Sequence, residues 1–228
     1  MKKDILIFGY NDYTLQIVKN IVDEQVSIFR LESDKSNLKL QTFETELFDL
    51  SDDWGDLKNR YNIDNTIAFC VLEEDAKNIF LTISLRAEFE NLTIIALSTN
   101  KENANKLMMA GANKVIPLQQ TTASIIVDML EKPIVTEILH NLLYEKNSLK
   151  VAQIEIDRDN CFNAQYPSDI NWKDEYGIMV LSIIHENGNS EFIYSSKTKH
   201  HTIKKGDIFV VIGYEKDIQE FRKKIYLK

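Results

Sequence analysis

The sequence predicts an α/β chain: a Rossmann-like parallel sheet domain, a helical crossover, and a small C-terminal α+β domain. Three observations predict it. Short apolar runs of strand length alternate with segments of helical period through residues 1–120. Two helical patterns then meet at Pro133 with no strand between them. From Leu149 onward the pattern shortens to strands separated by turn signals. The expected divisions are residues 1–120, 121–147 and 148–228.

Asp4-Ile-Leu-Ile-Phe8 is a continuous apolar run, as in a strand covered on both faces. It stops at Gly9, after which Leu15, Ile17, Val18, Ile21 and Val22 recur at helical spacing. Val26–Leu31 is the next strand, and Gln41–Leu50 holds a third. After the polar stretch Ser51–Asn65 comes Thr66–Leu72, the clearest buried strand. Glu73, Glu74 and Asp75 follow it, where negative charge favours a helix N-terminus, and Ile79, Phe80, Ile83 and Leu85 carry that helix. A strand at Leu92–Leu97, a helix at Lys101–Ala110, a turn at Gly111 and a strand at Lys114–Leu118 complete a parallel sheet with right-handed crossovers.

Ser124–Leu130 forms one apolar helical face, and Val135, Ile138, Leu139, Leu142 and Leu143 form another. A helical segment between two domains has little core of its own to cover, which favours contact with a partner. The later strands are Val151–Ile156, Ile178–Ile184, Ser190–Tyr194 and Ile208–Ile212, with turns at 186–188 and 204–207. A helix at Asp217–Ile225 closes the chain.

Bulk properties exclude several classes of function. With 228 residues, 44% of them apolar, the chain can bury two modest cores. A formal net charge of -8 repels phosphate backbones, so nucleic acid is not an expected partner. Cys70 and Cys161 are far apart and suggest no disulfide framework, which fits a reducing cytoplasm. No segment approaches the ~18–20 apolar residues of a membrane helix, and the N-terminus lacks a signal-peptide core. Any membrane partner is served from outside the bilayer.

The first turn carries the nucleotide question. A dinucleotide turn needs glycine at three places: for the tight turn, for pyrophosphate approach and for helix packing. Here the six positions read Gly9-Tyr10-Asn11-Asp12-Tyr13-Thr14, and only the first glycine is kept. Asn11 tolerates the turn, but Asp12 puts negative charge where a diphosphate would sit. Glu32, 23 residues after Gly9, is placed to accept from ribose hydroxyls. Asp49, ending the third strand, is expected to face the adenine or ribose at the switch point of the sheet.

Other chemistry is thin. The adjacent His200 and His201 cannot form an i, i+4 metal pair, and Lys199–His201 reads as a solvated loop. Cys70 reads as a small core residue, and no nucleophile elbow, Walker loop or redox cysteine pair is present. Asp52-Asp53 and Glu73-Glu74-Asp75 offer oxygen ligands without the spacing of a calcium loop, so helix capping and solubility explain them. No catalytic and no metal-ligating residue is expected.

The chain resembles the RCK family, the regulators of potassium conductance, which includes Trk- and Ktr-type peripheral subunits and the gating rings of prokaryotic potassium channels. The resemblance rests on Ile5–Gly9, Phe48-Asp49, Val71–Asn78, Ala110–Ile116, Pro133 within the crossover, and Gly206–Gly213 near the end, in that order along nearly the whole chain. Phe48 stands where the family usually carries Gly, and Leu97 or Ser98 where many members carry a basic residue facing the nucleotide. The resemblance implies a non-enzymatic regulatory subunit or excised channel domain, cytoplasmic and peripheral to the membrane through a potassium channel or transporter. It implies dimers assembled into a ring and switched by NAD(H) or by ATP or ADP, or a site left without a nucleotide by the degenerate turn. The candidate cofactor-binding residues are Gly9, Asn11, Asp12, Glu32, Asp49 and Glu73. The alternative on the same fold is an NAD(P)-dependent oxidoreductase.

Overall fold

The continuous apolar run that starts the chain becomes β1 (Asp4–Phe8), and both of its faces are covered. Leu6 and Phe8 point into one apolar cluster with Ala68, Cys70, Leu81, Leu85 and Ile94, while Ile5 and Ile7 pack on the other side against Ile17, Val18 and Ile21. That two-sided burial is why the run shows no polar alternation. The computed structural model describes residues 3–21, 24–33, 43–144, 149–156, 161–186, 188–193 and 202–225. The expected loop at Lys199–His201 and the end of the strand expected to reach Tyr194 lie outside the described residues. By internal contacts the chain divides into two units, Met1–Val127 and Asp128–Lys228.

The first unit is a parallel sheet in the order β3-β2-β1-β4-β5-β6. After β1 come α1 (Asp12–Asn20), β2 (Gln25–Leu31), β3 (Glu46–Phe48), α2 (Leu57–Arg60), β4 (Thr66–Cys70), α3 (Asp75–Glu88), β5 (Thr93–Ser98), α4 (Lys101–Met109) and β6 (Lys114–Pro117). This is the Rossmann-like half expected from the alternation of patterns. The third strand lies inside the stretch Gln41–Leu50 expected to hold it: among the described residues Glu46, Leu47 and Phe48 pair with β2 at the sheet edge. Phe48 anchors it: its ring lies 5.7 Å from both Phe8 and Trp54, and Phe8 stacks on Phe29 at 4.7 Å. The stretch read as merely polar, Ser51–Asn65, contains α2 and a 3-10 turn at Ile63–Asn65, with Trp54 and Leu57 tucked into the core.

Helices α5 (Leu118–Glu131) and α6 (Pro133–Tyr144) follow with no strand between them. The second unit then carries β7 (Leu149–Glu155), α7 (Trp172–Tyr176), β8 (Ile178–Ile184), β9 (Ser190–Phe192), β10 (Ile208–Tyr214) and α8 (Glu215–Lys224). Its antiparallel sheet runs β7-β10-β8-β9. Phe162, Trp172, Phe209 and Phe221 form an aromatic core on one face of that sheet. The closing helix begins two residues earlier than the pattern suggested, with Glu215 and Asp217 in its first turn, where acids stabilise the helix dipole. No described helix is long and apolar enough to cross a membrane.

Gly9 is a tight backbone-to-backbone approach in the first unit. Its φ is +128°, and a Cβ there would stand 2.9 Å from the Val71 carbonyl oxygen. Both the backbone conformation and the close approach require glycine. Gly9→Ala is therefore expected to lower stability by about 2–3 kcal/mol, measured by urea unfolding of the full chain.

Candidate functional site

Ligands of a doubly wound sheet bind where the strand order reverses, here between β1 and β4. A cavity of about 280 Å³ opens at that crevice, with Asn11, Asp12 and Tyr13 on one side, Leu72, Glu73 and Asp75 on another, and Leu97, Ser98, Thr99 and Leu118 completing it.

The α1 side is built by Asn11. Its Oδ1 accepts from the Thr14 amide at 3.2 Å, capping α1, so the helix starts at Asp12. Its Nδ2 donates to the Val71 carbonyl at 2.6 Å, crossing from the first turn to the end of β4. Thr14 Oγ1 donates to the Gly9 carbonyl at 2.8 Å. Asn11 and Thr14 are 9% and 0% exposed, so the second and third glycine positions hold packed, hydrogen-bonded side chains. A pyrophosphate cradle leaves those positions bare for the backbone to approach the oxygens. These residues do not form that cradle, and the Asp12 carboxylate stands in the first turn of α1.

The opposite wall is fixed by Asn78, which pattern reading of the sequence missed. Its Nδ2 donates to the Leu72 carbonyl at 2.8 Å and its Oδ1 accepts from the Leu72 amide at 2.9 Å. A signal for it existed: Asn78 and Thr82 share the buried stripe of α3 with Leu81 and Leu85, and polar residues on an apolar stripe need internal partners. The Asp75 carboxylate accepts from the Thr99 amide at 3.0 Å and from Thr99 Oγ1 at 2.6 Å, tying the start of α3 to the end of β5.

Of the six expected cofactor contacts, Asn11, Asp12 and Glu73 line the cavity, and Gly9 forms the turn leading to Asn11. Glu32 and Asp49 are outside its lining. They directly follow β2 and β3, where the Glu32 amide donates to the Phe48 carbonyl at 2.9 Å. The sheet order corrects the expected place of Asp49, because β3 is the edge strand, two strands from the switch point. The Asp49 carboxylate accepts from Ser51 Oγ at 2.6 Å and from the Ser51 amide at 2.9 Å, which holds its pKa below the ordinary value. Asp52 and Asp53 likewise accept from the amides of Asp49 and Gly55 at 2.8 and 2.9 Å, so these acids shape turns.

Cys70 is fully buried, and burial pushes its thiol up to about 12. Among the described residues no group of three His, Cys, Asp or Glu side chains is placed to hold a metal ion. In the second unit His185 lies between two carboxylates, with Nδ1 2.9 Å from Asp207 Oδ1 and Nε2 3.4 Å from Glu191 Oε2, linking β8 and β9 to the turn before β10.

The TrkA-N domain matches residues 5–118, half of the chain, which is the whole of the parallel sheet just described. The chain belongs to the TrkA-N domain family. Two curated relatives of this TrkA-N chain come from Methanocaldococcus jannaschii. "Probable potassium channel protein 2" is 26% identical over 159 residues, covering 65% of this chain and 43% of the relative. "Potassium channel protein 1" is 21% identical over 153 residues, covering 67% and 44%. The chain thus spans less than half the length of the curated relatives it matches. Among solved structures, the human SLO3 gating ring aligns over 96% of this chain and 45% of its own, with a TM-score of 0.67 at 13% identity, a likeness of fold.

The walls of the TrkA-N cleft should report on stability. Asn78→Ala strands the buried amide and carbonyl of Leu72, so a loss of about 2–3 kcal/mol is expected in urea unfolding. A thiol reagent at neutral pH should modify half-exposed Cys161 well before Cys70; equal labelling rates in the native chain would contradict the burial assigned to Cys70.

Proposed function

We propose that this TrkA-N chain is a cytosolic regulatory part of a potassium channel or transporter, working without catalysis in a dimer-based ring whose shape biases a membrane pore. Family membership and two relatives named as potassium channel proteins support the potassium assignment.

The observation that carries the assembly is the exposure of apolar side chains on α5 and on α6. In the single chain Ile126 and Leu130 of α5 are 52% and 78% exposed, and Ile134, Ile138 and Leu139 of α6 are 71%, 54% and 51% exposed. Neighbouring Ile125, Val127, Met129, Val135 and Leu143 are exposed as well. An exposed apolar helix face of this kind marks an interface, since leaving it in water forfeits the hydrophobic gain. A second copy of the same chain is the simplest partner, because a twofold axis brings like surfaces together. Ligand control then means that occupancy of the first-unit cavity favours one arrangement of the ring over another.

Ile138→Lys combined with Leu139→Lys should convert the dimer to a monomer in light scattering while leaving the circular dichroism spectrum unchanged, because both residues are exposed in the single chain. Cells carrying this variant should lose regulated potassium influx. A wild-type chain that stays monomeric at high concentration, or influx that is the same in both strains, would count against the reading. Turnover of a nicotinamide cofactor would favour the oxidoreductase alternative.

A further inference from the structure

We infer that the first-unit cleft of this chain is closed to nucleoside diphosphates, because its own Asn11 side chain spans the crevice where the diphosphate would lie. The inference deepens the regulatory reading above and rests on it: the ring would be switched by something other than NAD(H), ATP or ADP at this site.

Three independent features of the crevice agree. The first is the strap itself. Asn11 uses both ends of its amide, Oδ1 accepting from the Thr14 amide and Nδ2 donating to the Val71 carbonyl at 2.6 Å, so it joins the turn after β1 to the end of β4 at the switch point. A diphosphate entering there must break a buried hydrogen bond and leave the Val71 carbonyl without its donor.

The second feature is Thr14, at the third glycine position. Its hydroxyl is bonded to the Gly9 carbonyl at 2.8 Å and is wholly buried, which fixes the turn in its present form. Gly9 is retained for a reason unrelated to ligands, namely the 2.9 Å approach of the Val71 oxygen to any Cβ placed there. The surviving glycine is therefore a requirement of the strand crossing and carries no information about phosphate.

The third feature is the charge of the remaining cavity. Asp12, Glu73 and Asp75 line it, and among the described residues no Lys or Arg does. Asp12 stands in the first turn of α1, where it already offsets the positive end of the helix dipole that a phosphate would use. At about 280 Å³ the cavity is also at the lower edge of the ~300–1,000 Å³ range of small-molecule pockets.

The test is a nucleotide titration of the full chain, followed by thermal unfolding and calorimetric binding, with ADP, ATP, NAD+ and NADH each at millimolar concentration. A ligand at about ten times its Kd raises the Tm of a chain this size by about 3–6 °C. The wild type is expected to show no shift with any of the four. The variant Asn11→Gly/Asp12→Asn/Thr14→Gly, which restores the bare turn and removes the charge, is expected to gain a saturable shift with at least one. Should that variant fail to fold, Asn11→Ser/Asp12→Asn serves in its place, since serine keeps the helix cap but is too short to reach Val71.

A saturable shift in the wild type overturns the inference. Absence of binding in both the wild type and a folded variant overturns the assignment of closure to these side chains. Neither result bears on the dimer, which the Ile138 and Leu139 substitutions test separately.

Discussion

The contact between the first turn and the end of β4 organises the first unit. Gly9 and Val71 are brought so close that no side chain fits at Gly9, and Asn11 fastens the same place with a 2.6 Å hydrogen bond across a sequence separation of 60 residues. Several things depend on this one crossing. It sets β1 beside β4, reverses the strand order there, and starts α1 at Asp12. It also decides what the crevice can admit, since the group that closes the crossing stands in the crevice. In a nucleotide-binding turn those tasks are divided between glycines and a ligand. Here one asparagine ties the turn to the end of β4 and caps α1.

Much of this architecture was legible in the sequence, for identifiable reasons. Buried strands covered on two faces announce themselves as unbroken apolar runs, and Ile5–Phe8 and Thr66–Cys70 did so. The crossover announced itself because Pro133 separates two helical stripes. The edge strand β3 was placed only to within Gln41–Leu50, because its position is set by three backbone pairs with β2 and by the seat of Phe48 among Phe8, Phe29 and Trp54. The place of Asp49 was misjudged for a deeper reason. Strand order is a property of chain crossings and leaves no local mark, so an acid at a strand end cannot be assigned to the switch point from its own neighbourhood.

The candidate site was legible at the turn and, on its far wall, at Glu73. Asn11 and Thr14 stand out against the glycine pattern they replace. Asn78 and Asp75 do not, because their partners Leu72 and Thr99 are supplied by separate strand ends that only the folded sheet brings into range. Phe48 shows the same effect in reverse. As a departure from a usual glycine it looks like a functional change, yet it is 2% exposed and its role is to fill the aromatic core.

The rigidity of the cleft determines where a signal could leave it. Two walls are tied by side-chain hydrogen bonds of 2.6–2.9 Å, through Asn11 to Val71 and through Asn78 to Leu72. Leu118 belongs to the cavity as well, and it is the first residue of α5. The next residue, Gln119, meets the rim through its amide at 3.3 Å from the Thr99 carbonyl, and Thr99 is itself held by Asp75. A ligand that changes the shape of this cavity therefore acts against two walls tied by hydrogen bonds and one that continues into α5. Packed interiors yield by shifting between discrete arrangements rather than by deforming smoothly. In the regulatory reading the yielding part is the start of α5, so a ligand in the cleft would act first on that helix.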